Sequence, residues 1–229
     1  MERISLRNLM MLSIGGGGDE NDSFYENYAT NVEFQDVDFT TAGISEVEIN
    51  SHSSAFKMNN SFKNAKIAKV VINANNLAAL HYAFLGCNQL TECELNSDTG
   101  YVTGEFQSAF ANCYALKKIT GSPLDATNSS NTNMFYSASA LEEVRFKPDT
   151  IKNSIDMSGS SLLTNNTLMS VANGLNSSVT GKTLKLHATP KATCATIMGT
   201  NNSGTFEADA QGSLSLSDFI TTVKGWTLS

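Results

Sequence analysis

Apolar and polar positions recur in a fixed order along the middle of the chain. Three stretches share a Phe, a Cys or Ala three residues later, and then a short alternation of apolar and polar residues; their phenylalanines are Phe84, Phe110 and Phe135. The common form reads A-F-x-x-C-x-x-L-x-x-V-x-L. Self-similarity at a period of about 20–50 residues is the signature of stacked repeats. The pattern therefore predicts a repeat solenoid.

Five strand phrases align when an incomplete copy at residues 61–72 and a strand-only copy at residues 44–49 are included. Their first apolar positions are separated by 23, 23, 26 and 25 residues: Ile44, Ile67, Leu90, Leu116 and Leu141. Each unit has room for one strand, whose alternate residues face inward, and for a return to the next unit. We predict a parallel β ladder with short helices or loops on the return side.

The inward positions predict two columns of stacked side chains. One column is aromatic and the other small: Phe62, Phe84, Phe110 and Phe135 in the first, and Ala65, Cys87, Cys113 and Ala138 in the second. We interpret cysteine in the small column as a packing choice. Cys87 and Cys113 would lie in neighbouring coils, but with no ligand pattern beside them a disulfide or a metal site is the less favoured alternative.

Two outward rows of the ladder differ in character. One alternates in charge at every unit: Glu46, Lys69, Glu92, Lys118 and Glu143. Opposite charges on strands about 4.8 Å apart attract modestly, so this row is interpreted as a register and solubility device. A polar ligand contact is the less favoured alternative, because neighbours in the row neutralise one another. The other row has no such pattern and is the predicted ligand-binding surface: Glu48, Val71, Glu94, Thr120 and Arg145.

Both ends of the chain depart from the short period. We predict a leader and Gly-rich flexible joint over residues 1–22 and a single repeat domain over residues 23–229. That domain divides into an N-terminal cap, short repeats and longer C-terminal capping units, at residues 23–43, 44–148 and 149–229. The glycines of the joint are not followed by Lys-Ser/Thr, which disfavours a phosphate-binding loop. Loose alternation over residues 31–39 predicts a capping strand or hairpin.

The C-terminal units are predicted to alternate helix and strand. Leu168, Val171 and Leu175 recur at helical spacing after the possible caps Thr164 and Asn165. A second helix is expected from Thr189-Pro190 to near Gly199, and a third that stops at Gly225. The strands of these units are residues 183–186 and 226–228. We expect them to extend the main ladder, with Trp226 covering the end of the core.

Composition narrows the function classes. The formal net charge is -7 and the pI is about 4.9, so the chain lacks the basic field that binding of nucleic acid depends on. Its apolar runs are too short for membrane insertion, and the N-terminus shows no clear signal peptide. The four Cys include no C-x-x-C pair and no His at zinc-ligand spacing. We therefore predict no metal and no cofactor.

Catalysis finds little support in the sequence. The three histidines, His52, His81 and His187, are scattered and form no local nucleophile–base motif. We name no catalytic residue and predict that the chain is not an enzyme. A hydrolase with a site assembled across coils is the least favoured alternative.

The phrases around Phe84, Phe110 and Phe135 resemble the bacterial BspA-like, treponemal-type leucine-rich repeats, whose units read A-F-x-x-C-x-x-L-x-x-I-x-L. The resemblance covers roughly residues 44–148, although Pro is rare and Ile-Gly is missing before most Ala-Phe pairs. Such proteins are surface proteins implicated in adhesion, which implies a protein or glycan ligand. The end units, with Gly-Lys-Thr-Leu-Lys-Leu from Gly181 and Lys-Gly-Trp-Thr-Leu from Lys224, are more weakly similar to prophage tail or minor structural proteins.

The predicted function is therefore recognition or adhesion, without catalysis, by a module that binds a protein or glycan through the strand side of the solenoid. The expected location is a bacterial cell surface or a phage particle. The alternative is a structural or assembly component of a phage tail or cell-surface particle with no external ligand. The oligomeric state is left open.

Overall fold

The computed structural model describes residues 22–27, 34–51 and 53–229. The predicted leader and joint lie outside the described residues, apart from Asp22, which begins a strand. His52 also lies outside them.

Five parallel strands stack in chain order and form the main ladder: Asp22–Asn27, Glu46–Ser51, Lys69–Ala74, Glu92–Ser97 and Lys118–Gly121. The strands pair without a register slip, since Val47 faces Val70, Val70 faces Cys93, and Cys93 faces Ile119. Buried and partly exposed residues alternate along Glu46–Ser51, as the two-residue period of a strand requires. The predicted parallel ladder is confirmed.

A second, shorter ladder runs beside the first. Its parallel strands have two residues each: Phe56–Lys57, Leu77–Ala78, Val102–Thr103 and Leu124–Asp125. The first residue of each strand is buried in the core. The four coils that begin at Glu46, Lys69, Glu92 and Lys118 therefore cross from the main ladder to this second ladder before they return.

The return segments are turns held by two left-handed residues per coil. These lie two positions before and two positions after the repeated Phe: Asn60 and Asn64, Tyr82 and Gly86, Ser108 and Asn112, Asn133 and Ser137. Asn and Gly adopt positive φ more readily than most residues, which explains their frequency here. The Phe84 N–H donates to Ala109 O at 2.9 Å, and the Phe110 N–H donates to Met134 O at 3.0 Å. The turns thus add a third set of hydrogen bonds between coils.

The aromatic column runs through the core as predicted. Ring centroids are 5.4 Å apart for Phe62–Phe84, 5.3 Å for Phe84–Phe110 and 6.0 Å for Phe110–Phe135, and the rings are nearly parallel. All four rings are fully buried. Aromatic pairs contribute about 0.5–1.5 kcal/mol each beyond the area they bury, so the column stabilises the stacking of coils as well as the core.

The small column is confirmed too, and its cysteines link coils without oxidation. The Cys87 thiol donates to Phe62 O at 2.8 Å, and the Cys113 thiol donates to Phe84 O at 3.0 Å. Burial raises the pKa of the Cys87 thiol to about 12, so it carries its proton at neutral pH, as donation requires. Both cysteines are free.

The main ladder ends at the coil of residues 143–146, which makes only isolated bridges to the coil before it. Helix α1, Asn165–Gly174, lies against this edge and is capped by Thr164, whose side chain accepts a hydrogen bond from the Thr167 N–H. The helix and its cap confirm the sequence prediction.

Two hydroxyl groups of α1 satisfy the backbone of that last coil. The Thr167 hydroxyl donates to Glu142 O at 2.8 Å and accepts from the Val144 N–H at 3.3 Å. Three residues further along, the Ser170 hydroxyl accepts from the Phe146 N–H at 2.9 Å. An open strand edge presents unpaired N–H and C=O groups, and here the helix takes the place of the next strand.

The C-terminal strands form a separate parallel sheet of Ile155–Met157, Thr183–Leu186 and Thr227–Leu228. The expectation that they extend the main ladder was wrong, because α1 occupies the edge they would have joined. Trp226 is 2% exposed and its indole N–H donates to Asn176 O at 2.9 Å, so it closes the end of the core as predicted.

The second predicted helix is shorter than expected. Helix α2 covers Ala188–Cys194, and Met198–Asn202 instead pairs with Thr205–Ala208 and Leu214–Ser215 in an antiparallel sheet. The hairpin turn has left-handed residues at Ser203 and Gly204, the backbone that matches strand twist. Helix α3 covers Leu216–Asp218 and continues as a wider π turn over Phe219–Val223 before Gly225.

The N-terminal end differs from the predicted capping strand or hairpin. Within residues 31–39, the described part 34–39 forms turns and a single bridge from Asp38 to Lys66, and a short 3-10 helix follows at Thr40–Ala42. The Asp38 carboxylate lies 2.7 Å from the Lys66 ammonium. The strand at this end is Asp22–Asn27, which the sequence pattern did not indicate.

The aromatic column yields a stability prediction. Replacing Phe110, which has a stacked ring on each side, by Ala should lower the free energy of unfolding by about 3–5 kcal/mol in urea denaturation, because the cavity cannot collapse between fixed coils. Tyr114→Ala is the matched control: Tyr114 is 52% exposed, and its replacement should change stability by about 0.5 kcal/mol or less. An equal loss of unfolding free energy in the two variants would contradict the claim that the aromatic column stabilises the core.

The packing of α1 against the edge of the main ladder yields a second stability prediction. Thr167→Val keeps the shape of the side chain but leaves the Val144 N–H without its acceptor, whereas Glu142 O keeps the Thr164 N–H as a donor. The unfolding free energy should therefore fall by about 1–3 kcal/mol, the cost of an unsatisfied buried donor. Thr200→Val, at an exposed strand position, should be nearly neutral. Thermal unfolding of the two variants measures the difference, and a wild-type melting temperature for Thr167→Val would show that the hydroxyl does not hold the edge.

Candidate binding surface

The outward side chains of the main ladder form one polar surface, here named the strand face. Three rows run along it in register. They are the charge row (Glu46, Lys69, Glu92, Lys118, Glu143), the contact row (Glu48, Val71, Glu94, Thr120, Arg145) and the asparagine row (Asn50, Asn73, Asn96).

The charge row places opposite charges on adjacent coils, as the sequence predicted. The Lys69 ammonium lies 2.8 Å from the Glu46 carboxylate, and that of Lys118 lies 3.6 Å from Glu143. The hydrogen bond to Glu46 raises the pKa of Lys69, and the nearby charge of Glu92 adds to the effect. Exposed pairs of this kind contribute about 0–1 kcal/mol each, so the row supports register more than overall stability.

The asparagine row is a continuous hydrogen-bonded ladder. Nδ2 of Asn73 donates to Oδ1 of Asn50 and to Oε1 of Glu48, both at 2.8 Å. Nδ2 of Asn96 donates to Oδ1 of Asn73 at 2.8 Å and to Oε1 of Glu94 at 3.0 Å. Glu48 lies on the strand before that of Asn73, whereas Glu94 lies on the same strand as Asn96. Each amide therefore links its neighbour in the row and orients a carboxylate of the contact row.

The contact row brings its predicted members into a single line. Glu48 faces Val71, Val71 faces Glu94, and Glu94 faces Thr120. Val71 is only 8% exposed, so it separates the two oriented carboxylates without offering much surface of its own. At the last coil Arg145 is exposed, and its guanidinium donates to the Gly121 carbonyl.

A cleft of about 360 Å³ opens where the contact row meets α1. Thr120, Glu143 and Arg145 line it from the ladder, and Asn166 and Ser170 line it from the helix. Its volume falls within the range of about 300–1,000 Å³ that is usual for ligand sites. Two of the five predicted contact residues therefore lie at a concave site.

Charge is unevenly distributed along the strand face. The coils of residues 46–50, 69–73 and 92–96 carry Glu46, Glu48, Glu92 and Glu94 against the single cation Lys69. The last two coils reverse this balance, with Lys118 and Arg145 against Glu143. The face is therefore acidic over its first part and weakly basic near the cleft.

The two described histidines, His81 and His187, occupy separate positions. Nδ1 of His187 accepts from the Thr189 N–H at 3.3 Å and caps α2. Nδ1 of His81 lies 3.4 Å from the Glu105 carboxylate, and its ring stands 4.2 Å from that of Tyr82. In the described part of the chain, no three His, Cys, Asp or Glu residues are grouped as metal ligands would be. None of the described helices has the length and hydropathy to cross a bilayer.

Sequence reasoning missed the asparagine row and the helical wall of the cleft. The row had a signal, because Asn50, Asn73 and Asn96 each follow an inward apolar strand residue at intervals of 23 residues. No sequence signal marked Asn166 and Ser170, because their place in the cleft depends on how α1 packs against the ladder.

The asparagine row yields a pH-dependent prediction. Asn73→Asp replaces a donor by a carboxylate beside Glu48, which should raise the pKa of the new Asp in the folded state above its value of about 3.9 in the unfolded chain. The unfolding free energy should then fall by about 1–2 kcal/mol at pH 7. The part of this loss that comes from the raised pKa should shrink as the pH falls through that pKa and disappear below about 3.9, where the new Asp is protonated in both states. Urea denaturation at pH 7 and at a pH below about 3.9 measures the change in unfolding free energy. Asn88→Asp, at an exposed turn, is the control. A loss of unfolding free energy that does not depend on pH would contradict the placement of residue 73 beside the Glu48 carboxylate.

Comparisons with known proteins agree with this architecture. Six copies of the BspA type leucine-rich repeat region match residues 57–180, more than half of the 229-residue chain. Searches of curated proteins and of solved structures found no match. Proteins with these repeats are typically non-enzymatic interaction modules, extracellular or surface-associated in bacteria. The matched copies and the stacked, in-register coils together show that the chain belongs to the BspA-type leucine-rich repeat family.

Proposed function

We propose that this chain is a recognition module, without catalytic activity, that binds a partner protein through the contact row of the strand face. The observation that carries the proposal is the pair of carboxylates, Glu48 and Glu94, held in place by Asn73 and Asn96 on a row that leads into the cleft at Arg145. Side chains already fixed before binding lose less conformational entropy when a partner arrives.

The dimensions and charges of the face favour an extended polypeptide over a glycan. Five coils at about 4.8 Å per strand give a track of roughly 20 Å, the length of about six extended residues. Basic side chains of such a segment would lie over Glu48, Glu92 and Glu94, and an acidic one would enter the cleft towards Arg145. Complementary charge of this kind chiefly sets specificity and the association rate.

We place residues 23–229 in one binding unit, and the continuous hydrophobic core from Phe34 to Trp226 supports this. Family membership favours a bacterial cell surface as its location. A structural role in a phage tail or surface particle, with no external ligand, is the competing hypothesis.

Selection from a displayed random-peptide library tests the proposal. The wild-type chain should enrich peptides rich in Lys and Arg. Glu94→Gln and Arg145→Gln should each weaken binding of the selected peptides by about tenfold, equivalent to about 1.4 kcal/mol, with little change in melting temperature. Glu94→Gln keeps an acceptor for Asn96 and removes only the charge.

The matched control is Glu207→Gln. Glu207 accepts from Asn202 at 3.0 Å on the C-terminal hairpin, so it is a carboxylate–amide pair like Glu94–Asn96, but off the strand face. Unchanged affinity in Glu94→Gln, or an equal loss in Glu207→Gln, would refute the placement. If the chain enriches no peptide and instead forms a defined oligomer, the result would favour the assembly role.

A further inference from the structure

A second concave site lies on the return side of the solenoid, away from the strand face. It encloses about 230 Å³ between the turn of the last short repeat and the C-terminal parallel sheet. Asn133 and Tyr136 line it from the turn, and Asp156, Ser158 and Lys185 line it from the sheet and the loop after it.

Both walls of this site are held in place by the fold. The Tyr136 N–H donates to Asn133 O at 3.1 Å, and Tyr136 O accepts from the Asn112 N–H at 2.7 Å. The loop of the other wall is fastened to the same turn, because the Ser160 hydroxyl donates to Ala138 O at 3.0 Å. The site is therefore built from neighbouring units at fixed separation, not from a loose loop.

The polar wall offers oriented donors and acceptors with no net charge. Asp156 and Lys185 face each other across the sheet, 2.9 Å apart. The Asp156 carboxylate also accepts from Ser158, at 2.9 Å from its N–H and 2.6 Å from its hydroxyl. The Asn133 amide adds a donor and an acceptor on the turn side.

Tyr136 supplies the remaining wall, and its exposure has no evident structural use. It is 62% exposed, more than the other exposed large hydrophobic side chains of the described residues, Tyr114 and Leu162. An exposed aromatic ring beside neutralised polar groups matches a ligand with an apolar face and a rim of hydroxyls, because the ring covers C–H groups while the polar wall bonds the hydroxyls.

We propose that this cleft is a saccharide-binding subsite for one neutral hexose or N-acetylhexosamine ring, stacked on Tyr136 and hydrogen-bonded by Asn133, Asp156 and Lys185. The volume of about 230 Å³ is below the range of about 300–1,000 Å³ that is usual for ligand sites, which limits the occupant to a single ring. The balanced pair of Asp156 and Lys185 disfavours a phosphate or a uronic acid. The site shares no residue with the strand face, so its failure would leave the proposed protein-binding function untouched.

Saturation-transfer NMR with the full chain tests the proposal. The probes are the methyl β-glycosides of glucose, galactose and N-acetylglucosamine. At least one should receive magnetisation on its ring protons, and Tyr136→Ala should lower its affinity about tenfold or more. Tyr114→Ala removes a tyrosine of similar exposure that does not line the cleft, and it should bind as the wild type does.

Asp156→Asn provides a second variant, expected to weaken binding because Asn keeps the shape but loses the charged acceptor. The absence of transfer to every glycoside would overturn the proposal, as would undiminished binding by Tyr136→Ala. Stronger occupancy by inorganic phosphate or by a short neutral peptide, detected by displacement of the glycoside, would also overturn it.

Discussion

Each coil of this molecule must offer the next coil a matching line of backbone donors and acceptors, because parallel strands satisfy their N–H and C=O groups only through neighbours in register. That constraint acts on three sides of the solenoid at once: the main ladder, the second ladder and the return turns. The left-handed residues on either side of each repeated Phe keep the turns superimposable, and the stacked rings of Phe62, Phe84, Phe110 and Phe135 follow from the same register. Outside the core, this spacing lets Asn50, Asn73 and Asn96 link into a continuous ladder.

The same constraint explains why the surface features lie where they do. A stack of coils leaves an open edge where it stops, and here Thr167 and Ser170 of α1 complete the hydrogen bonds of the last coil. A helix does not lie flush against a strand edge as another strand would, and the cleft beside Arg145 opens at that junction. The second cleft, at Tyr136, also lies at a junction, between the last turn and the C-terminal sheet. These two clefts therefore lie where the regular repeat gives way to the longer units.

Repetition made much of the fold predictable from the sequence. Positions that recur every 23 to 26 residues gave the solenoid, the inward columns and the alternating charge row, because each rests on the spacing of identical units. Predictions failed where packing between elements, and not the spacing of residues, determines the structure that a segment adopts. The C-terminal strands keep the repeat spacing but form their own sheet, since α1 occupies the edge. Cys194, Ile197 and Met198 are spaced as on a helix, which predicted a helix to near Gly199, yet the chain from Met198 forms a hairpin with a left-handed turn at Ser203 and Gly204. The contact row was recognisable as a row, but its link to the asparagine amides and to the cleft depends on side-chain positions that only the structure gives.

Hydrogen exchange of individual backbone amides, followed by NMR on the native chain, tests most directly whether one register runs through the coils and is closed by α1. The amides of Val144 and Phe146 should exchange about as slowly as that of Leu95 in the middle of the main ladder, because helix hydroxyls accept from them. Exchange at Val144 and Phe146 as fast as at exposed turn positions such as Gln89, with Leu95 still protected, would show that the ladder ends in an open edge and would contradict the account.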